Sequence, residues 1–80
     1  MMRMTIKMPR VADTVDQVCV IEWLAHEGVR VEAGAPLMRV ETDKAVVEVP
    51  SPVAGIVTEQ LVAVDVEVTT GTPIAVISTD

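Results

Sequence analysis

Gly34-Ala35-Pro36-Leu37-Met38-Arg39-Val40-Glu41-Thr42-Asp43 returns thirty-seven residues later as Gly71-Thr72-Pro73-Ile74-Ala75-Val76-Ile77-Ser78-Thr79-Asp80. Glycine, proline, an apolar run and a closing Thr-Asp recur in the same order without an insertion. Extended backwards, the comparison aligns Val18–Asp43 with Gly55–Asp80, and nine of the twenty-six positions are identical. Three of the nine are Val on Val, which says little in a chain with seventeen valines. The other six, Glu22/Glu59, Leu24/Leu61, Gly34/Gly71, Pro36/Pro73, Thr42/Thr79 and Asp43/Asp80, are not explained by composition. The repeat predicts two similar halves related by an approximate two-fold axis. Two copies this short cannot stack as a solenoid, so they must interdigitate around one core.

Composition supplies the kind of element that is repeated. Eighty residues of 8.6 kDa fit one domain, residues 1–80. There is no Phe or Tyr, one Trp, and seventeen Val against three Leu and five Ile. Valine's branched Cβ restricts χ1 and suits a pleated surface, whereas a helical bundle would draw on Leu, Ala, Glu and Lys at 3.6-residue spacing. Turn signals at Pro9, Gly28, Gly34, Pro50 with Pro52, Gly55 and Gly71 separate eight short extended segments: Thr5–Met8, Val18–Ala25, Val29–Val31, Leu37–Glu41, Ala45–Val49, Ile56–Val64, Val66–Val68 and Ile74–Ser78. The expected fold is all-β, a flattened eight-stranded barrel or sandwich of two four-stranded sheets with internal pseudo-two-fold symmetry.

Charge and cysteine content narrow the function classes. A net charge of −6 is opposite in sign to the surface that a phosphate backbone selects, so nucleic acid is not an expected partner. No apolar run approaches the ~20 residues that span a bilayer, and the N-terminal residues lack the apolar core of a secretory signal. The expectation is a soluble, intracellular protein without membrane contact. Its single Cys19 has no internal disulfide partner.

Few residues carry reactive chemistry. Cys19 alternates with Val18 and Val20 as a half-buried strand residue, and no histidine stands at a suggestive spacing. His26 lies beside Glu27 at a turn without further ligands for a metal. Trp23 is expected to cover one end of the core, and the N-terminal methionines to belong to a start region and first strand. No phosphate loop, carboxylate pair or Ser-His-Asp set can be assembled, and a barrel filled with valines offers no interior pocket. Of the two lysines, Lys7 is the outward charge of the first strand. Lys44 sits at the centre of Val40-Glu41-Thr42-Asp43-Lys44-Ala45-Val46-Val47-Glu48-Val49, two extended arms about a tight turn. Spacing alone fits an ordinary solvated turn residue there. In the repeat, however, Thr42-Asp43 corresponds to the C-terminal Thr79-Asp80, so a two-fold axis sends the Lys44 turn and the C-terminus to opposite ends.

Glu41-Thr42-Asp43-Lys44-Ala45, followed by Glu48-Val49-Pro50-Ser51-Pro52-Val53-Ala54-Gly55, closely resembles the attachment hairpin of lipoyl domains from the acyltransferase component of 2-oxo acid dehydrogenase complexes. Trp23, Glu27-Gly28, Val31, Gly34, Leu37, Gly55-Ile56-Val57, Gly71 and Ile74 also fall where that family has them, so the resemblance covers nearly the whole chain. It implies a carrier that is not itself an enzyme, with lipoic acid joined as an amide to Lys44. Glu41, Thr42, Asp43, Ala45 and Glu48 would present that lysine to a lipoate-attaching ligase or transferase. The implied partners are a thiamine-dependent 2-oxo acid decarboxylase, aided by the first loop with Asp13 and Asp16, and dihydrolipoamide dehydrogenase. The implied carrier is monomeric and cytoplasmic, or resident in the mitochondrial matrix. A lysine on a rigid hairpin gives the arm a fixed base and a mobile tip, and tethering raises the effective concentration of the carried group at successive active sites.

Three positions depart from the family pattern: Gly28 is followed by Val29, Asp65 stands where a turn glycine is usual, and Val18 replaces a common glycine before the second strand. Asp tolerates a left-handed backbone better than most residues, so Asp65 is expected to substitute at modest cost. Two alternatives share the architecture. A biotinyl carrier usually flanks its lysine with Met on both sides, unlike Asp43 and Ala45. An unmodified lipoyl-like interaction module would need no reactive lysine.

Overall fold

The computed structural model describes residues 2–9, 17–42 and 45–79. Eight strands run in chain order as β1 (Met2–Lys7), β2 (Gln17–Trp23), β3 (Arg30–Val31), β4 (Pro36–Glu41), β5 (Val46–Pro50), β6 (Gly55–Gln60), β7 (Glu67–Thr69) and β8 (Pro73–Thr79). They form two four-stranded antiparallel sheets, ordered β1-β8-β6-β3 and β5-β4-β2-β7. Among the described residues no ladder joins one sheet to the other, and the fold is a sandwich rather than a closed barrel.

The repeat is written into the pairing register. In the second sheet Cys19, Val20, Glu22 and Trp23 face Glu41, Val40, Arg39 and Met38. In the first, Ile56, Val57, Glu59 and Gln60 face Ser78, Ile77, Val76 and Ala75, the same pairs displaced by thirty-seven residues and with the irregularity at the same step. The connections repeat as well. Gly28 N–H donates to Val57 O at 2.7 Å, and Asp65 N–H donates to Val20 O at 2.7 Å. Gly28 and Asp65 occupy the same left-handed turn, with φ of 88° and 71°. Aspartate thus replaces glycine there, as expected of a short polar side chain that can visit this region.

Alternation within each strand sends one set of residues between the sheets. Val20, Leu37, Met38, Val40, Val49, Val57, Ile74, Ala75 and Ile77 are fully buried and form a core of short aliphatic side chains. Ser51 is the one buried polar side chain among the described residues, and its hydroxyl donates to Val53 O at 2.6 Å. It holds the place that Met8 takes in the other half, because Gly34 N–H bonds Ser51 O as Gly71 N–H bonds Met8 O. Trp23 is 8% exposed and its indole N–H donates to Val62 O at 2.9 Å, which closes one flank of the core.

All eight expected strands are present, with shifted ends. β1 starts at Met2 rather than Thr5, because Thr79, at the end of β8, pairs with Met2. β6 stops at Gln60 rather than continuing to Val64. The Gln60 N–H is taken by the Glu27 carboxylate at 3.0 Å, and the chain beyond it is held by Ile74 O on Leu61 N–H and by Trp23 on Val62 O. Leu61-Val62-Ala63-Val64 has the composition of a strand but no partner strand to pair with. Val18, at the position commonly glycine in the resembling family, is buried in the core opposite Val68.

Candidate functional site

The turn between β4 and β5 is closed by three contacts between Thr42 and Ala45. Thr42 N–H donates to Ala45 O at 2.8 Å, the Thr42 hydroxyl donates to the same oxygen at 3.1 Å, and Ala45 N–H donates to the hydroxyl at 3.2 Å. The last ladder pair before the turn is Glu41 with Val46. Two residues join Thr42 to Ala45, namely Asp43 and Lys44, and both lie outside the described residues, as do Asp13 and Asp16 of the β1–β2 connection. Expectations about their side chains therefore find no structural test. Thr42, which the resemblance assigns to presentation of the lysine, has the further task of locking the hairpin's neck, since its hydroxyl bridges both main-chain groups of Ala45.

Topology places this hairpin at one end of the elongated molecule, whose extents are 37 × 20 × 17 Å. The end of β4, the start of β5, the start of β2 and the end of β7 coincide in the second sheet. β7 passes through a tight turn into β8, so the start of β8 and the end of β1 share that end. Met2 and Thr79 pair at the opposite one. The neighbours of the hairpin are therefore the β7–β8 turn, where the hydroxyls of Thr69 and Thr72 lie 2.9 Å apart, and the ends of the β1–β2 connection.

Acidic side chains flank the hairpin along the outer face of the second sheet. Glu41 and Glu67 stand on either side of Cys19 in the ladder, and both are exposed. Glu48 differs. Together with Glu22 it is held by Arg39, whose guanidinium donates to Glu22 at 2.7 Å and to Glu48 at 3.3 Å, tying three adjacent strands across their surface. Glu48 is thus a strand-linking residue as well as a candidate contact. Arg39 was not singled out in the sequence, although its position opposite Glu48 and Glu22 follows once the register is known. Cys19 is a half-buried free thiol and His26 is exposed at a turn. Among the described residues no group of His, Cys, Asp and Glu could hold a metal ion, and no helix could cross a membrane.

The described residues thus form a two-sheet sandwich built from a duplicated half, with the β4–β5 hairpin neck at one end. The chain belongs to the biotin and lipoyl attachment family, whose model, described as "Biotin-requiring enzyme", matches residues 4–77. Membership makes it a carrier domain. Over 76 residues the chain is 38% identical to the dihydrolipoyllysine-residue acetyltransferase component of the pyruvate dehydrogenase complex of Corynebacterium glutamicum, covering 95% of this chain and 11% of that protein. The solution structure of the lipoyl domain of the 2-oxoglutarate dehydrogenase complex of Azotobacter vinelandii superimposes with a TM-score of 0.72 at 24% identity, covering 94% of this chain and 95% of that one. A single-chain, multi-domain long-chain acyl-CoA carboxylase superimposes with a TM-score of 0.75 at 23% identity, covering 98% of this chain and 7% of the carboxylase. Both likenesses concern the fold.

Proposed function

We propose that the chain is a lipoyl carrier, with lipoic acid attached through an amide to Lys44. The observation that carries this reading is the closed neck of the β4–β5 hairpin, at which Thr42 and Ala45 leave two residues, Asp43 and Lys44, to form the turn. A lysine at such a turn fits a group joined by a single amide bond, which needs a fixed base and no binding pocket. When bound, the group supplies a dithiolane that accepts an acyl group together with a pair of electrons. The rest is the protein's work. The paired arms of β4 and β5 hold the base of the arm, and the sandwich separates it from Met2 and Thr79. Glu41 with Glu67 keeps the adjoining surface acidic for partners with basic patches. The partners on this reading are a lipoate-attaching ligase, a 2-oxo acid decarboxylase and dihydrolipoamide dehydrogenase. The similarity to an acetyltransferase component supports this reading. The family's description, "Biotin-requiring enzyme", keeps biotin as the competing group.

Peptide mass spectrometry on protein made in a host supplied with both lipoate and biotin decides between them. The expected result is a lipoyl increment on the peptide containing Lys44, absent from the peptide containing Lys7 and abolished by Lys44→Arg. A biotinyl increment, or an unmodified Lys44 in protein that is folded, overturns the reading.

A further inference from the structure

Two cations in the described structure have no carboxylate partner, and both stand on one strand. Arg39 is held by Glu22 and Glu48, and Arg30 lies 3.9 Å from Glu32. Arg3 and Lys7 make no ion pair among the described residues, in a chain whose net charge is −6. Both belong to β1, which is the edge of its sheet, is six residues long and is exposed at every position except Ile6. An edge strand of this length presents a row of main-chain donors and acceptors to any extended segment that approaches it. The extra residue at the β1–β8 irregularity is Ile74, on β8, so alternation along β1 is unbroken. Arg3, Thr5 and Lys7 therefore point outward, and Met4 and Ile6 point inward.

The inward side of this edge is apolar and open. Met2 is 72% and Met4 42% exposed, and they line a groove with Val53 and Ala54 of the β5–β6 connection, bordered by Arg3, Thr5 and Thr79. A second groove beside the same strand is lined by Met4, Ile6, Lys7, Pro9, Pro50 and Pro52. We propose that β1 is a docking edge for an extended acidic segment of a partner protein, which adds a fifth strand to the first sheet. Its acidic residues, four apart, would face Arg3 and Lys7, and its intervening apolar residues would enter the groove beside Met4 and Ile6. Four residues of extended chain span about 13 Å, so the spacing of the two cations sets the spacing of the carboxylates. Charge also disfavours a second copy in the two registers that pair the whole strand. Antiparallel pairing of β1 with itself about Thr5 sets Arg3 opposite Lys7 twice, and in-register parallel pairing sets each cation beside its own copy. Like charges directly opposite each other destabilise a ladder. This inference does not depend on Lys44.

The probes are two peptides, acetyl-Glu-Val-Thr-Val-Glu-amide and its counterpart with Lys in place of both Glu, titrated into the isotopically labelled 80-residue chain carrying Lys44→Arg. The expected result is saturable shifts of main-chain amides confined to residues 2–7, 51, 53 and 54. The acidic peptide should bind about tenfold more tightly than the basic one, and added salt should erode the difference. Arg3→Glu with Lys7→Glu should reverse the preference. Arg3→Glu alone should narrow it, and serves if the double variant does not fold. Equal affinity for the two peptides, absence of saturable shifts, shifts mapping to the second sheet, or self-association of the chain through the β1 amides would each overturn the proposal.

Discussion

Gly55→Ala tests whether the two halves, alike in register, are also alike in packing. A Cβ at residue 55 would run into the main-chain oxygen of Ser78 and lie 2.8 Å from Ile77 Cγ2. The oxygen belongs to the backbone of β8, which is paired on both flanks by β1 and β6, so it cannot rotate aside as a side chain would. Overpacking of this kind costs about 1–3 kcal/mol, and the alanine recovers only about 0.4–1 kcal/mol through the smaller entropy of its unfolded chain. The net loss is roughly 1–2 kcal/mol, a fall of about 5–15 °C in melting temperature for a domain of this size. The register supplies the internal control. Val18 occupies the equivalent position in the other half, where it is buried, and Val18→Ala should destabilise by removing methyl groups, by about 1–3 kcal/mol. At one copy of the position adding a carbon is harmful; at the other, removing carbons is. Thermal melts by circular dichroism, with denaturant titrations followed through Trp23 emission, measure both. A Gly55→Ala protein melting within about 2 °C of the parent, or above it, would refute the close approach of β8 to β6.

Three further outcomes follow from single contacts. At Asp65, with φ of 71°, Asp65→Gly should stay within about 0.5 kcal/mol of the parent while Asp65→Ala loses about 1 kcal/mol, as read from denaturant midpoints. Trp23→Phe removes the indole bond to Val62 O and part of the core's flank, with an expected loss of about 1–3 kcal/mol by circular dichroism; a neutral outcome would mean that the Leu61–Val64 segment is held by something else. The ion pairs of Arg39 are partly exposed, so Arg39→Ala should cost under about 1 kcal/mol, and a double-mutant cycle with Glu48→Ala should show a coupling that shrinks in high salt.

Much of the fold is legible because the chain states it twice. The repeat Gly-x-Pro, apolar run, Thr-Asp fixes which strands correspond, and the valine alternation fixes which side faces inward. Strand ends were less legible. Leu61-Val62-Ala63-Val64 alternates like a strand, yet strand formation requires a partner, and here Glu27, Ile74 and Trp23 take the hydrogen bonds instead. Glu48 read as a free acidic contact until the ladder brought Arg39 against it, because neighbours across strands are nine and seventeen residues apart in sequence. Lys44 was singled out by the family resemblance that Asp43 and Ala45 help to carry, and it lies outside the described residues; the structure adds the hairpin neck, with the Thr42 hydroxyl on Ala45.

Local chemistry and repetition along the chain determined the strand class and the duplication. They did so because side-chain branching, alternation and turn residues act over a few positions. The strand order, the unequal packing at Gly55 and Val18, the Arg39 clamp, and the gathering of unpaired Arg3 and Lys7 on an open edge were decided only by tertiary structure. Each depends on distances between segments brought together by folding, and no local propensity encodes those distances.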